Sequence, residues 1–270
     1  MPLGTCALCL QPAELQDSHL VPRAVYKALR EPHSAIHHPV LVTASTTMQT
    51  GAQVHDYLLC SCCEMRVAQN GEDWVMKNGP HRNGRFPLRE ALLRSPVKST
   101  VPIGEIYKEP FDEAFDLEKL IYFGASVFWR ASVHHWNRAL HLTKRAPLTP
   151  EIQESLRLFL MYEDGFPIDA VLLVSVTASK PIAHCILPTP MVRASQAATA
   201  NGYGFAIPGL QFRLLYDLAT EDMKRASVAL PPHAVLVTDR VEKEIRAGAE
   251  VLWKTSRPVG SLSGWLDEEP

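Results

Sequence analysis

Apolar residues recur with two different periods along this chain, and the change of period organises it. Between Phe111 and about Leu142 they fall three and four apart, with Leu120, Phe123, Val127 and Phe128 on one face. That spacing predicts the strongest helical stretch of the sequence, and Asp116 stands where an N-cap would accept from its first turn. Thr149-Pro150-Glu151 opens a second helix running to about Tyr162, because a capping threonine precedes a proline that has no amide to leave unpaired. From Asp169 the pattern becomes short apolar runs bounded by Pro and Gly: DAVLLVSVTA, PIAHCILP, YGFAIPG and LQFRLLYDL. These read as strands, followed by AVLVTD as a last strand and a closing charged helix near Arg240–Lys254.

Before residue 80 the elements are shorter. Leu15 to Pro22 reads as extended, and Ala24 to Arg30 as a helix with Val25 and Leu29 on one side. His33 to Gly51 is polar and turn-rich, a long loop with one strand at Val40–Thr43. Asp56 to Cys60 is a strand, and a helix starts near Cys62 or Cys63, runs towards Ala68 and breaks around Asn70-Gly71. The expected fold class is α+β. A compact module over residues 1–80 is followed by a basic connector over 81–110. A larger α+β domain over 111–270 then carries helices and a small, mostly antiparallel sheet.

Length and charge narrow this picture only slightly. The chain has 270 residues, with 27 basic against 29 acidic and 46% hydrophobic. A balanced total removes any global signature of a nucleic-acid binder but permits a local basic strip. One such strip exists: KNGPHRNGRFPLREALLRSPVK carries Lys77, Arg82, Arg85 and Arg89. It can track a phosphate backbone or serve as a solvated linker. No run approaches the ~18 apolar residues of a membrane span. The amino terminus has no basic region ahead of an apolar one, so a cytoplasmic protein without membrane partners is expected.

Candidate chemistry lies in the cysteines. Of six, Cys6 and Cys9 form one C-x-x-C pair and Cys60 and Cys63 another. Two such knuckles are what a tetrahedral structural Zn²⁺ needs, each supplying two thiolates from a tight turn. The order knuckle, hairpin, strand, knuckle, helix is that of a treble-clef zinc module. His37-His38 and His134-His135 are poorer metal pairs, because adjacent side chains diverge on either a helix or a strand. Phe123, Phe128, Trp129 and Trp136 read as core, while Arg130 in the same helix is either buried by pairing or able to reach a site. GYGFAIPG lacks the lysine and following helix of a phosphate-cradling loop.

The series C-x-x-C, then S-H-x-x-P at Ser18 to Pro22, then L-L-C-x-x-C-E ending at Glu64, resembles the HNH (His-Me finger, ββα-metal) endonuclease superfamily. It is closest to a bacterial branch in which SHxxP and LCxxCE replace DHxxP and LCxxCH. The resemblance covers residues 1–80. It implies that His19 is the general base, that Glu64 is a ligand for catalytic Mg²⁺ or Mn²⁺, and that His55 orients the base or adds a ligand. It also implies a nucleic-acid substrate, DNA before RNA, and a role in restriction or phage defence. Ser18 departs from the family's aspartate. On strand alternation Asp17 points away from that position, whereas Glu72 shares the face of Glu64 if the helix continues past Asn70-Gly71. The rival expectation is a catalytically inactive zinc-binding adaptor for nucleic acid or protein. In a third, the strand-rich carboxy-terminal domain carries the activity and the zinc module only docks it; a protein partner through the carboxy-terminal domain is a separate expectation.

Overall fold

A short hairpin begins the chain. Strand β1 (Leu3–Thr5) pairs antiparallel with β2 (Pro12–His19), which pairs in turn with β5 (His55–Cys60). The computed structural model describes residues 1–30, 38–43, 45–136, 148–190, 201–217 and 220–266. Between β2 and β5 come α1 (Arg23–Ala28), β3 (Val40–Val42) and β4 (Thr46–Gln49). After β5 follow α2 (Ser61–Val67), a π-helical turn (Ala68–Glu72) and α3 (Asp73–Asn78). The expected break at Asn70-Gly71 does not occur. Gly71 is instead a point of close approach: a Cβ there would lie 2.8 Å from the backbone nitrogen of Phe123. The glycine therefore lets two helical segments touch main chain to main chain, and the wider π turn carries the helix past it.

The stretch read as a basic connector is ordered secondary structure. It forms α4 (Pro87–Arg94), then the antiparallel strands β6 (Val97–Val101) and β7 (Gly104–Lys108). Next come α5 (Leu117–Val133), α6 (Pro150–Met161), β8 (Ala170–Val176), β9 (Ile186–Pro190), β10 (Asn201–Ile207) and β11 (Leu210–Tyr216). The chain ends with α7 (Glu221–Arg225), β12 (Ala234–Val237), α8 (Arg240–Thr255), β13 (Arg257–Val259) and a 3₁₀ turn over Gly260–Leu266. The main sheet has seven strands in the order β6-β7-β12-β8-β11-β10-β9. It is larger than expected because the connector hairpin joins it through β7 and β12, and β12 runs parallel to β8. A third sheet pairs β13 with β4, so the carboxy-terminal strand returns to the loop that precedes β5.

Helix α5 is the core of the molecule and is apolar on nearly every side. Phe123 and Phe128 meet Phe205, and Phe123 also meets Phe212, all edge-on, while Phe205 and Phe212 stack at 4.7 Å. Asp116 accepts from the Lys119 amide at 3.1 Å, so the helix starts at Leu117 and not at Phe111. It stops at Val133 because His134 is extended and the Trp136 indole N–H donates to the Arg130 carbonyl at 3.0 Å. The expected continuation to Leu142 lies outside the described residues, as does His37. Thr149 caps α6 as its sequence suggests. GYGFAIPG lies on β10 and its turn into β11, with Gly209 at φ +75 in the left-handed region. No described helix is long and apolar enough to cross a membrane.

Candidate metal centre and adjoining cleft

The first knuckle is a closed turn. Leu10 takes a left-handed φ of 60, its amide donates to the Cys6 carbonyl at 2.9 Å, and the Cys6 amide donates to the Gln11 carbonyl at 2.9 Å. The Ala7 amide ties the knuckle to β5 by donating to the Leu58 carbonyl at 3.1 Å. Cys60 ends that strand and Cys63 lies in the first turn of α2. The four sulfurs consequently fall within 4.8 Å of one another, with Cys9 and Cys60 at 3.9 Å. A tetrahedral zinc with Zn–S bonds of about 2.3 Å requires sulfur–sulfur edges of about 3.8 Å, so these residues fit that ion.

Thiols within the quartet perturb one another. The Cys6 thiol is drawn down to about 4, first by the Cys63 thiol donating to it and then by backbone amides including that of Cys60, whose N–H lies 3.3 Å from Cys6 Sγ. Cys63, as the donor in that pair, is pushed up, and burial raises Cys9. Four thiolates side by side need a cation to coexist. Among the described residues this is the one group of three or more His, Cys, Asp or Glu whose ligand atoms converge so closely. Cys62 is exposed and Cys185 is pushed up to about 12 by burial; neither belongs to the group.

Beside the quartet, β2 and β5 set His19 opposite His55, Ser18 opposite Asp56 and Asp17 opposite Tyr57. Strand alternation puts Asp17 and His19 on one face and Ser18 on the other. A cleft of about 490 Å³ opens there, lined by Asp17, His19, Arg23, Tyr57, Ser61 and Glu64, among others. His19 and Glu64 both line this cavity. Asp17 is also in it, although it faces away from the Ser18 position as expected.

The partners of His19 differ from expectation. Its Nε2 lies 2.9 Å from Gln53 Oε1, which accepts from Nε2–H and leaves Nδ1 as the basic nitrogen. His55 does not orient it by hydrogen bonding. Its ring stacks on that of His19 at 5.3 Å, and its Nδ1 lies 2.6 Å from Asp17 Oδ1. Burial holds the His19 imidazole below its ordinary value, opposed by the Gln53 bond.

Glu64 is fixed by a serine on β2. Buried Ser18 donates its hydroxyl to Glu64 Oε1 and accepts from the Leu59 amide at 3.2 Å. Burial raises the Glu64 carboxyl, and the Ser18 bond and the Arg130 charge oppose it. Glu72, carried past Gly71 by the π turn, meets Arg130 Nη2 at 2.5 Å. Arg130 is 1% exposed, and its Nη1 donates to the His19 carbonyl at 2.7 Å. Both readings of Arg130 therefore hold: it is buried by pairing, and it reaches the site.

The four cations of the basic strip have different surroundings. Arg89 turns inward, its Nη1 donating to the carbonyls of Thr177, Ala178 and Ser179 at 3.3, 2.9 and 2.5 Å. Arg85 lies 3.7 Å from Glu90, and Arg82 donates to the Arg30 carbonyl at 3.4 Å. Lys77 is exposed on α3. Arg23 lines the cleft, as does Met1, and sequence reasoning passed over Arg23 although it directly follows SHLVP. Gln53 was passed over too, since it lies in the irregular segment before β5 and carries no local signal. No family model, curated protein or solved structure matches this chain.

Proposed function

We propose that residues 1–80 form a zinc-stapled treble-clef module of the HNH type, whose cleft hydrolyses phosphodiester bonds in nucleic acid, DNA in preference to RNA. One observation carries this reading: His19 and Glu64, from separate elements, line one cleft beside the cysteine quartet. Through Nδ1, His19 takes a proton from water as the water oxygen attacks phosphorus, and the bridging oxygen leaves with the bond electrons. Burial keeps the imidazole neutral and ready to accept at neutral pH. Arg23 meets the negative charge of the phosphate. Glu64 gives Oε1 to Ser18 and keeps Oε2 as a hard donor. That is fewer ligands than a dedicated cage offers, which suits Mg²⁺ or Mn²⁺ retaining waters and taking phosphate oxygens from the substrate. Such an ion, when bound, would offset charge on the phosphate and the leaving oxygen. The cysteine zinc is structural, since four protein ligands leave no open position.

The test is cleavage of supercoiled plasmid and single-stranded DNA with Mg²⁺ or Mn²⁺ by wild type and His19→Ala. Metal-dependent nicking that disappears in the variant supports the reading, and its absence from the zinc-loaded wild type rejects it.

The Ser18–Glu64 bond also favours a second reading. A hydroxyl replaces a charged ligand, and the carboxylate finds an internal partner, as a retired site would show. An inactive zinc-binding adaptor predicts salt-sensitive DNA binding, or capture of a protein partner, with no cleavage by either protein.

A further inference from the structure

We infer that Arg130 is a positioning residue for His19, and that helix α5 thereby completes a site whose other parts all precede residue 80. The inference rests on the nuclease reading for its kinetic arm alone. Three features carry it.

The guanidinium is almost fully buried, where an unpaired charge is not tolerated, yet it is not spent on one partner. Nη1 donates to the main-chain carbonyl of His19 at 2.7 Å, across 111 residues of sequence. Nη2 meets Glu72 Oε1 at 2.5 Å, and Nε turns back to the Ser126 carbonyl at 3.3 Å. A planar fork with fixed donor directions can join a carbonyl and a carboxylate in this way, whereas a lysine ammonium cannot span both.

Each end of the clamp is itself held. The Trp136 indole fixes the Arg130 carbonyl at 3.0 Å, and Gly71 seats the π turn that carries Glu72 directly on the α5 backbone. The clamped carbonyl belongs to the residue whose ring must stay 2.9 Å from Gln53 to keep Nδ1 basic. Displacing that backbone by less than 1 Å would break the ring bond and mix the two tautomers. Arg130 is almost fully buried and its contact with His19 is to the main-chain carbonyl, so it positions that residue from behind while its charge also reaches Glu64.

The experiment uses the full chain and compares wild type, Arg130→Lys and Glu72→Gln, each checked for one bound zinc per chain. The first readout is the imidazole ¹⁵N shift pair of His19 above its titration range, which reports the tautomer directly. The second is kcat against KM for plasmid cleavage. Wild type should show a single Nε2–H tautomer. Arg130→Lys should show a mixed one, with kcat at least tenfold lower and KM within twofold. Glu72→Gln should mix the tautomers less and lower kcat about threefold. Wild-type shifts in a folded, zinc-loaded Arg130→Lys protein overturn the inference, as does a change confined to KM. If the lysine variant does not fold, Glu72→Gln decides: wild-type values in both readouts overturn the inference, and mixed tautomers support it. If wild type does not cleave, the nuclease reading fails, while the ¹⁵N comparison still judges Arg130.

Discussion

Ser18 donates its hydroxyl to Glu64 Oε1 while accepting the Leu59 amide, so one buried hydroxyl joins β2, the end of β5 and the first turn of α2. Replacing it with aspartate sets two carboxylates against each other in a buried place. Zinc-loaded Ser18→Asp is expected to melt at a lower temperature than zinc-loaded wild type in buffer without added Mg²⁺, because the like charges repel. Its melting temperature should then rise with Mg²⁺ more than that of wild type does. A thermal-shift titration checks both, and equal responses to Mg²⁺ would remove the cleft as a cation site.

The cysteines are expected to divide sharply. Wild type should carry about one zinc per chain, and Cys9→Ser should lose it along with cooperative unfolding, because metal binding and folding are coupled in such clamps. Cys62→Ser should keep the zinc and change stability by less than about 0.5 kcal/mol, since that side chain is exposed and outside the quartet. Elemental analysis with urea denaturation tests the pair.

Stability and rate should both fall on the acid side. Burial depresses the folded-state values of His19 and His184 below their ordinary value. As pH drops below about 6.5 the unfolded chain therefore takes up protons that the folded chain refuses, and stability declines. His184→Gln should flatten part of that slope without affecting cleavage. The acid limb of kcat/KM should have its midpoint below about 6.5 if His19 is the base. Urea melts and rates at pH 5 to 8 supply the comparison.

Much of the fold was legible because it follows local rules. The caps Asp116 and Thr149, the strand runs after Asp169 and the two knuckles all have short-range signatures. The shared cleft was legible in part, through the positions of His19 and Glu64. Contacts across long stretches of sequence were not. No local pattern announces that Arg130 will bind the His19 carbonyl, that β13 will pair with β4, or that the Val97–Lys108 hairpin will enter the main sheet. Gly71 misled for the same reason: a glycine needed for close approach to Phe123 is indistinguishable, in sequence, from one that ends a helix.

The basic residues should separate by role. Arg89→Ala removes a guanidinium that satisfies backbone carbonyls and should cost about 1–3 kcal/mol of stability while leaving DNA affinity unchanged. Arg23→Ala should leave stability within about 0.5 kcal/mol, weaken DNA binding, and reduce the slope of log K against log salt by about 1. Fluorescence anisotropy across salt concentrations distinguishes the two.

Most direct for the central claim is a cleavage cycle over wild type, His19→Ala, Glu64→Ala and the double variant, all zinc-loaded and supplied with Mn²⁺. Groups acting as one unit should each cost at least about 100-fold when removed, with the double variant less than about tenfold worse than either single. Either single variant cutting at the wild-type rate, or a zinc-loaded wild type that does not cut, would contradict the assignment of one hydrolytic site to these two residues.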